Sequence, residues 1–373
     1  MSTVRPLRIL HLTAASDAGG VSRYLHDLCG AMHGAGHEVA IAGERGAWHD
    51  LFQNAEWPWI DAPLGSGVIQ LPRAVKILRK YVAEHPVDLI HAHYRKATLA
   101  GRRLQKTTGV PLLYTLHLSH IPLGGPWGWL SDFGDHAHVA SADAKQWMIE
   151  RAGVAADRIT VIPHGIEPSK FPRRDAEVRR AARMQLGLNE GDRVGLYVGR
   201  LEDPKNEGWL LDLAEKSRNS MVNLRILLAG DGPNESSLRE RIEREGLGKR
   251  VTLLGRRDPL ALYQAADALL LPSEREGFSL ACAEAMCVGL PVLRTNTSGT
   301  KELIVEGVTG RSTPIEHDAF VAGAIAFLSD EASLARMGEA AAEHVREHFT
   351  FDRQVEQTVA LYRRLINANA TVV

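Results

Sequence analysis

Two glutamates eight residues apart, Glu276 and Glu284, stand in the segment PSEREGFSLACAEAM (272–286). An apolar run precedes them and helical spacing follows, so Glu276 falls just ahead of a helix and Glu284 in its second turn. Both carboxylates can then face one site. The amides of Phe278, Ser279 and Leu280 fall at the helix start, where N–H groups lack intrahelical acceptors and favour an anion. Arg200 and Lys205, in GRLEDPKN (199–206), follow another apolar run. At the end of a strand, two such cations can neutralise a diphosphate without a metal; the plainer reading is a pair of exposed surface charges. The turn Asp17-Ala18-Gly19-Gly20-Val21 joins the first apolar run to the first helical stretch. Its two glycines let backbone approach a ligand closely, or serve only as a strand–helix turn. GxGxxG is absent there, which disfavours a nicotinamide dehydrogenase.

Other reactive side chains read more plainly. His91 and His93 alternate on one strand, and His136 and His138 do the same. No third ligand stands at convincing spacing, so no metal site is expected. Cys282 and Cys287 lie in the Glu284 helix and read as core packing. Trp127 and Trp129 read either as a cap on the core or as an apolar loop facing an acceptor.

The elements that must position these residues alternate. Strands are expected at residues 8–13, 38–43, 88–93, 112–117 and 159–163, with helices at 21–34, 71–85, 95–107 and 141–152 between or around them. Ser141 is the expected N-cap of the last. A Pro/Gly-punctuated polar stretch follows near 163–174. The alternation restarts after Asp192, with strands at 193–199, 224–230, 251–255, 268–273 and 291–295, and the chain is helical from about 315 to 369. Strand–helix alternation implies right-handed βαβ units and parallel sheets. Two α/β domains are therefore expected, 1–168 (with a returning segment 352–373) and 169–351. Ligands of such sheets bind beyond the carboxyl ends of the strands, and a cleft between the domains is the natural place.

Composition narrows the function classes. The 373 residues are 45% hydrophobic and 24% charged, enough apolar material for a large core. Net charge is −1, so nothing global asks for nucleic acid. Three cysteines exclude a disulfide scaffold and suit a reducing compartment. No signal peptide or membrane-spanning stretch is read, so a cytoplasmic location is expected. Charge is uneven locally: between Leu71 and Lys106 nine basic residues stand against Glu84 and Asp88, net +7. That is either a solvated helical face or a surface for anionic lipid or an anionic acceptor.

These segments resemble the retaining glycosyltransferases of family 4, built on the GT-B fold: two Rossmann-like domains facing across a cleft, with a C-terminal helix crossing back to the first. The matching pieces are AGGVSRYL (18–25), DLIHAH (88–93), TLH (115–117), RITVIPHGIE (158–167), GRLEDPKN, LLAGDGP (227–233), PSEREGFSLACAEAM and GLPVLRTNTSGTKELI (289–304). The resemblance implies sugar transfer, with retention, from a UDP- or GDP-linked sugar to a glycan or lipid-linked acceptor in cell-surface polysaccharide synthesis, with no cofactor. It implies that Glu276 contacts the donor sugar, Glu284 the ribose, Arg200 and Lys205 the diphosphate, and His117 the region of the transferred sugar. Backbone at Gly19, Gly20, Phe278, Ser279 and Leu280 would complete the phosphate site, and Gly230 and Arg256 would lie toward the base. Sugar transfer needs a stabilised diphosphate leaving group and an oxocarbenium-like centre. Fixed cations and helix-terminal amides serve the first need, a carboxylate the second. The implied front-face mechanism, in which the leaving phosphate helps deprotonate the acceptor, assigns no enzymatic nucleophile.

Asn206 stands where many members have Gly, Asn296-Thr297-Ser298-Gly299-Thr300 replaces a more glycine-rich loop, and Lys301-Glu302 replaces a Pro-Glu pair. Two other readings share the fold: a nucleotide-sugar epimerase or phosphorylase, and a non-catalytic binding subunit. Acceptor-dependent release of nucleoside diphosphate separates the former from a transferase. The intact Glu276, Glu284, Arg200, Lys205 and His117 argue against the latter.

Overall fold

The computed structural model describes residues 5–16, 20–65, 67–118, 121–125, 128 and 131–370. Asp17, Ala18, Gly19, Trp127 and Trp129 therefore lie outside the described residues. The chain divides into two compact units, Met1–Ile162 with Gln354–Val373, and Pro163–Arg353.

The first unit is built on seven parallel strands: β1 (Arg8–Ala15), β2 (Glu38–Glu44), β3 (Trp59–Asp61), β4 (Leu89–Ala92), β5 (Leu112–Leu116), β6 (His136–Val139) and β7 (Ile159–Val161). They are ordered β3-β2-β1-β4-β5-β6-β7. Period-two alternation decides what each face buries. On β1, Leu10 and Leu12 pack with the helices Leu71–Glu84 and Arg95–Thr108. Ile9 faces the other way, packing with helix Gly20–Gly34 and with Val359, Leu361 and Tyr362 of the C-terminal helix Phe351–Ala370. That helix thus belongs, from Gln354 on, to the first unit.

The second unit carries six parallel strands: β8 (Arg193–Val198), β9 (Leu224–Ala229), β10 (Val251–Gly255), β11 (Ala268–Leu271), β12 (Val292–Thr295) and β13 (Gly310–Thr313). Their order is β10-β9-β8-β11-β12-β13. In both sheets the chain first builds outward one way and then the other, so the switch points fall between β1 and β4 and between β8 and β11.

Several boundaries differ from expectation for identifiable reasons. The first unit ends at Ile162, not near 168, because the Ile162 amide is the last to bond into the first sheet (Val139 O, 2.9 Å). Ile166 already pairs with Phe349 and Phe351 of the second unit. The helix Ala176–Gln185 lies in a stretch without an apolar stripe. Asp175 caps it, and it docks through Arg183, which is 1% exposed and held by Asp267 at 2.9 Å. Ser141 caps helix Ala142–Glu150, accepting from the Ala144 amide at 3.1 Å.

Candidate functional site

Loops leaving the carboxyl ends of β8 and β11 form the site in the second unit. The β8 exit carries Arg200 to Asn206, and Tyr197 steadies it by donating to the Arg200 carbonyl at 2.7 Å. Lys205 Nζ reaches Glu276 Oε1 at 2.8 Å, and Ser273 Oγ donates to the same oxygen at 2.7 Å. Burial alone would raise the Glu276 carboxyl. Lys205, Arg294 and Ser273 outweigh it and hold the group below the ordinary glutamate value. Arg200 turns instead to Glu202 at 3.0 Å and is half exposed, so this ion pair contributes little. Lys205 and Glu276, expected to touch different parts of a ligand, are here each other's partners.

The helix Leu280–Val288 opens at Ser279, in the left-handed region at φ 50°. The amides of Phe278, Ser279 and Leu280 meet no acceptor among the described residues. The Phe278 ring is buried against His164 and Phe349, which anchors the turn. One turn into the helix, Glu284 is buried and accepts from Tyr263 Oη at 2.9 Å.

The departures from the family pattern acquire reasons. Asn206 sits at φ 53°, a conformation that favours glycine and that asparagine tolerates. Its side chain donates to Pro272 O at 3.1 Å, tying the β8 loop to the β11 loop. The end of β12 is tied to the β11 loop, where Thr295 Oγ1 donates to Ser273 O, and the Thr/Ser-rich loop that follows bonds to itself, Thr300 Oγ1 accepting from the Thr297 amide at 3.1 Å. Gly230 passes directly beneath the β8 exit. Its amide donates to Gly255 O at 3.0 Å, so that N–H serves the fold and is not offered to a ligand. Arg256, the first residue after β10, is exposed.

His117 and Gly20 lie in the first unit. Gly20 opens helix Gly20–Gly34 and is exposed. His117 follows β5 and is half-buried, with its Nε2 3.1 Å from His93 Nδ1. His93 Nε2 in turn lies 3.0 Å from His11 Nδ1. The third histidine that chain spacing lacked is therefore His11: β1 pairs with β4 so that His11 stands opposite His91. His11, His91 and His93 place ligand atoms within 4.8 Å of one another, close enough to hold a metal ion. Both ring nitrogens of His91 are engaged, however, with Tyr362 Oη at 2.7 Å and Thr115 Oγ1 at 2.6 Å. Thr115 Oγ1 also lies 3.0 Å from His138 Nδ1. Burial pushes His11 down to about 3, His138 to about 4, and His91 and His93 well below their usual value, so the cluster is neutral at pH 7. It reads best as a hydrogen-bonded polar layer within the sheet, joined through Tyr362 to the C-terminal helix Phe351–Ala370.

Tyr263, Ser273, Arg294 and His11 were not singled out from the sequence. Only the Ser273-to-Glu276 spacing offered a local signal; the others arrive from separate elements.

Two parallel α/β sheets, each with its polar loops at a switch point, are the architecture of the GT-B fold. Residues 18–170 match the family model described as Glycosyltransferase Family 4, and residues 178–344 match Glycosyl transferases group 1. The chain belongs to this glycosyltransferase family. It is 31% identical over 303 residues to a D-inositol 3-phosphate glycosyltransferase of Nocardia farcinica; the match takes in 73% of this chain and 66% of that relative, just under two thirds. A glycosyltransferase from Rickettsia africae superposes with a TM-score of 0.85 at 19% identity, over 97% of this chain and 99% of the other. Anabaena HepE in complex with UDP superposes with a TM-score of 0.82 at 23% identity, over 96% and 100%. These two likenesses concern the fold.

Proposed function

We propose that this glycosyltransferase moves a sugar, with retention and without a metal ion, from a UDP- or GDP-linked donor to a glycan or lipid-linked acceptor. The observation that carries the reading is the Lys205–Glu276 pair beside the unbonded amides of Phe278, Ser279 and Leu280. A diphosphate draws Lys205 to itself and takes hydrogen bonds from the amides, while Arg200 has only a weak surface ion pair to give up. Glu276 is then released to accept hydrogen bonds from the donor sugar, and Glu284 meets the ribose. Two 24%-identical structures of Anabaena HepE, one with UDP and glucose and one with UDP-glucose, support this choice of donor class.

Fixed protein cations in place of a divalent ion lead to a direct expectation. Nucleoside diphosphate is released only when acceptor is present, and at an unchanged rate in EDTA. Activity abolished by EDTA and restored by magnesium or manganese contradicts the metal-free mechanism; release without acceptor contradicts the transferase reading.

The chain is further proposed to work in the cytoplasm at an anionic membrane surface, in cell-surface polysaccharide synthesis. Among the described residues no helix is long and apolar enough to cross a membrane. Of the nine basic residues, Arg95, Lys96 and Arg102 are engaged within the fold. Arg73, Lys76 and Lys80 form one exposed stripe on Leu71–Glu84, and Ile69, 93% exposed, stands just ahead of it. Each such charge near anionic lipid contributes about 1 kcal/mol, screened by salt. The chain is expected to pellet with anionic but not neutral vesicles at low salt. An Arg73/Lys76/Lys80→Ser triple variant should lose that pelleting. Equal pelleting with both vesicles, or none at low salt, leaves a solvated face and a soluble acceptor.

A further inference from the structure

A buried arginine on β12, the strand beside the one whose exit loop carries Glu276, makes no close ion pair among the described residues. Arg294, on β12, is 1% exposed. Its Nη2 donates to Thr297 Oγ1 at 2.7 Å and Ser298 O at 3.2 Å. Nε and Nη1 have no hydrogen-bond partner, and no carboxylate pairs with the guanidinium, among the described residues. A buried cation without a hydrogen-bonded carboxylate costs folding free energy, and an apolar side chain of similar volume is often the more stable choice. Its position gives the reason for keeping it. β12 lies beside β11, and Thr295 Oγ1, one residue on, bonds to Ser273 O in the loop that carries Glu276.

The groups that bear on Glu276 are few. Lys205 comes from the β8 loop and Ser273 from the β11 loop. Tyr197 comes from β8 and Cys282 from helix Leu280–Val288. Burial raises both well out of the neutral range, Cys282 to about 11, so both stay uncharged. Arg294 acts on Glu276 from β12, and it is the one cation there that cannot be drawn away to a ligand, because the loop after β12 holds it from within. Lys205, 23% exposed at the front, can be.

We propose that Arg294 is a positioning residue for sugar transfer: a fixed positive charge behind Glu276 that keeps its carboxylate charged and in place when the donor's diphosphate takes Lys205. This rests on the reading that the site binds a nucleoside-diphosphate sugar. It also gives the Thr/Ser-rich loop after β12 a function, since Thr297 and Ser298 are the anchors of the guanidinium.

The test compares wild type with Arg294→Met, Arg294→Gln and Arg294→Lys. The Glu276 carboxyl is titrated by 13C NMR in the full chain without ligand, its signal assigned by its loss in Glu276→Gln. In both neutral variants Glu276 should titrate about one pH unit higher, tenfold in its acid constant. The acid limb of kcat/KM should move up with it, Tm should hold or rise, and Arg294→Lys should restore most of the wild-type profile. If either neutral variant folds and leaves both the Glu276 titration and the acid limb unchanged, Arg294 is a packing residue and the proposal fails. It fails equally if neither neutral variant folds and Arg294→Lys folds with the acid limb displaced as far as loss of the charge would displace it. The titration uses no donor or acceptor, so it stands apart from the transferase reading, which Glu276→Ala turnover decides.

Discussion

Glu276→Ala is expected to lower turnover about ten- to hundredfold, the effect of removing a hydrogen bond to a charged group worth roughly 1.5–3 kcal/mol. Two consequences combine. The donor sugar loses its carboxylate partner, and Lys205 loses the group that it contacts at 2.8 Å. Glu284→Ala should act differently. This carboxylate is buried one turn into the helix and held by Tyr263 at 2.9 Å, so its loss should raise the donor KM and leave kcat largely intact. Steady-state kinetics of the two variants with one donor check the split. Near wild-type kcat in Glu276→Ala with every accepted donor would remove Glu276 from the site.

A second large effect is expected from a single methyl group. Gly230 adopts φ +153°, and a Cβ there would lie 1.7 Å from the Gly199 carbonyl oxygen. The neighbour is backbone in the loop that presents Arg200 and Lys205, so no side-chain rotation relieves the clash. Gly230→Ala should destabilise the second unit by at least ~4 kcal/mol. For a unit of this size that is a fall in Tm of roughly 10 °C. Gly248→Ala, where a Cβ meets nothing within 4 Å, is the control and should leave Tm nearly unchanged. Thermal unfolding followed by circular dichroism checks both. An equally stable Gly230→Ala protein would mean that the two strand exits do not pass this closely.

Most of the fold follows from the period of the hydrophobic pattern. β1, β4 and β8 lie in apolar runs bounded by turn residues, and the switch points place the loops after β8 and β11 at the ligand edge. What pattern reading lost was either short or polar. Trp59–Asp61 has three residues, and Gly310–Thr313 shows no apolar alternation. The helix Ala176–Gln185 is fixed by a buried Arg183–Asp267 ion pair, not by an apolar stripe.

The site divides in the same way. Glu276, Glu284 and the amides between them occupy one local segment, so their spacing carries information. Tyr263 reaches Glu284 from 21 residues away, and His11 meets His93 across 82 residues, through strand order alone. No local spacing announces such contacts. Arg294 was hidden for a further reason: one basic residue in an apolar strand reads as a surface charge, and only its 1% exposure shows otherwise.

The second unit is proposed to bind a nucleoside diphosphate through Lys205, Glu284 and the start of helix Leu280–Val288 without a metal. Isothermal titration of UDP and GDP into the full chain, in EDTA, measures this directly. One of the two nucleotides should bind wild type, and both Lys205→Ala and Glu284→Ala should weaken that binding about tenfold or more, as expected for lost charge-assisted hydrogen bonds. No binding of either nucleotide without a divalent ion, or an affinity unchanged in both variants, would contradict the account.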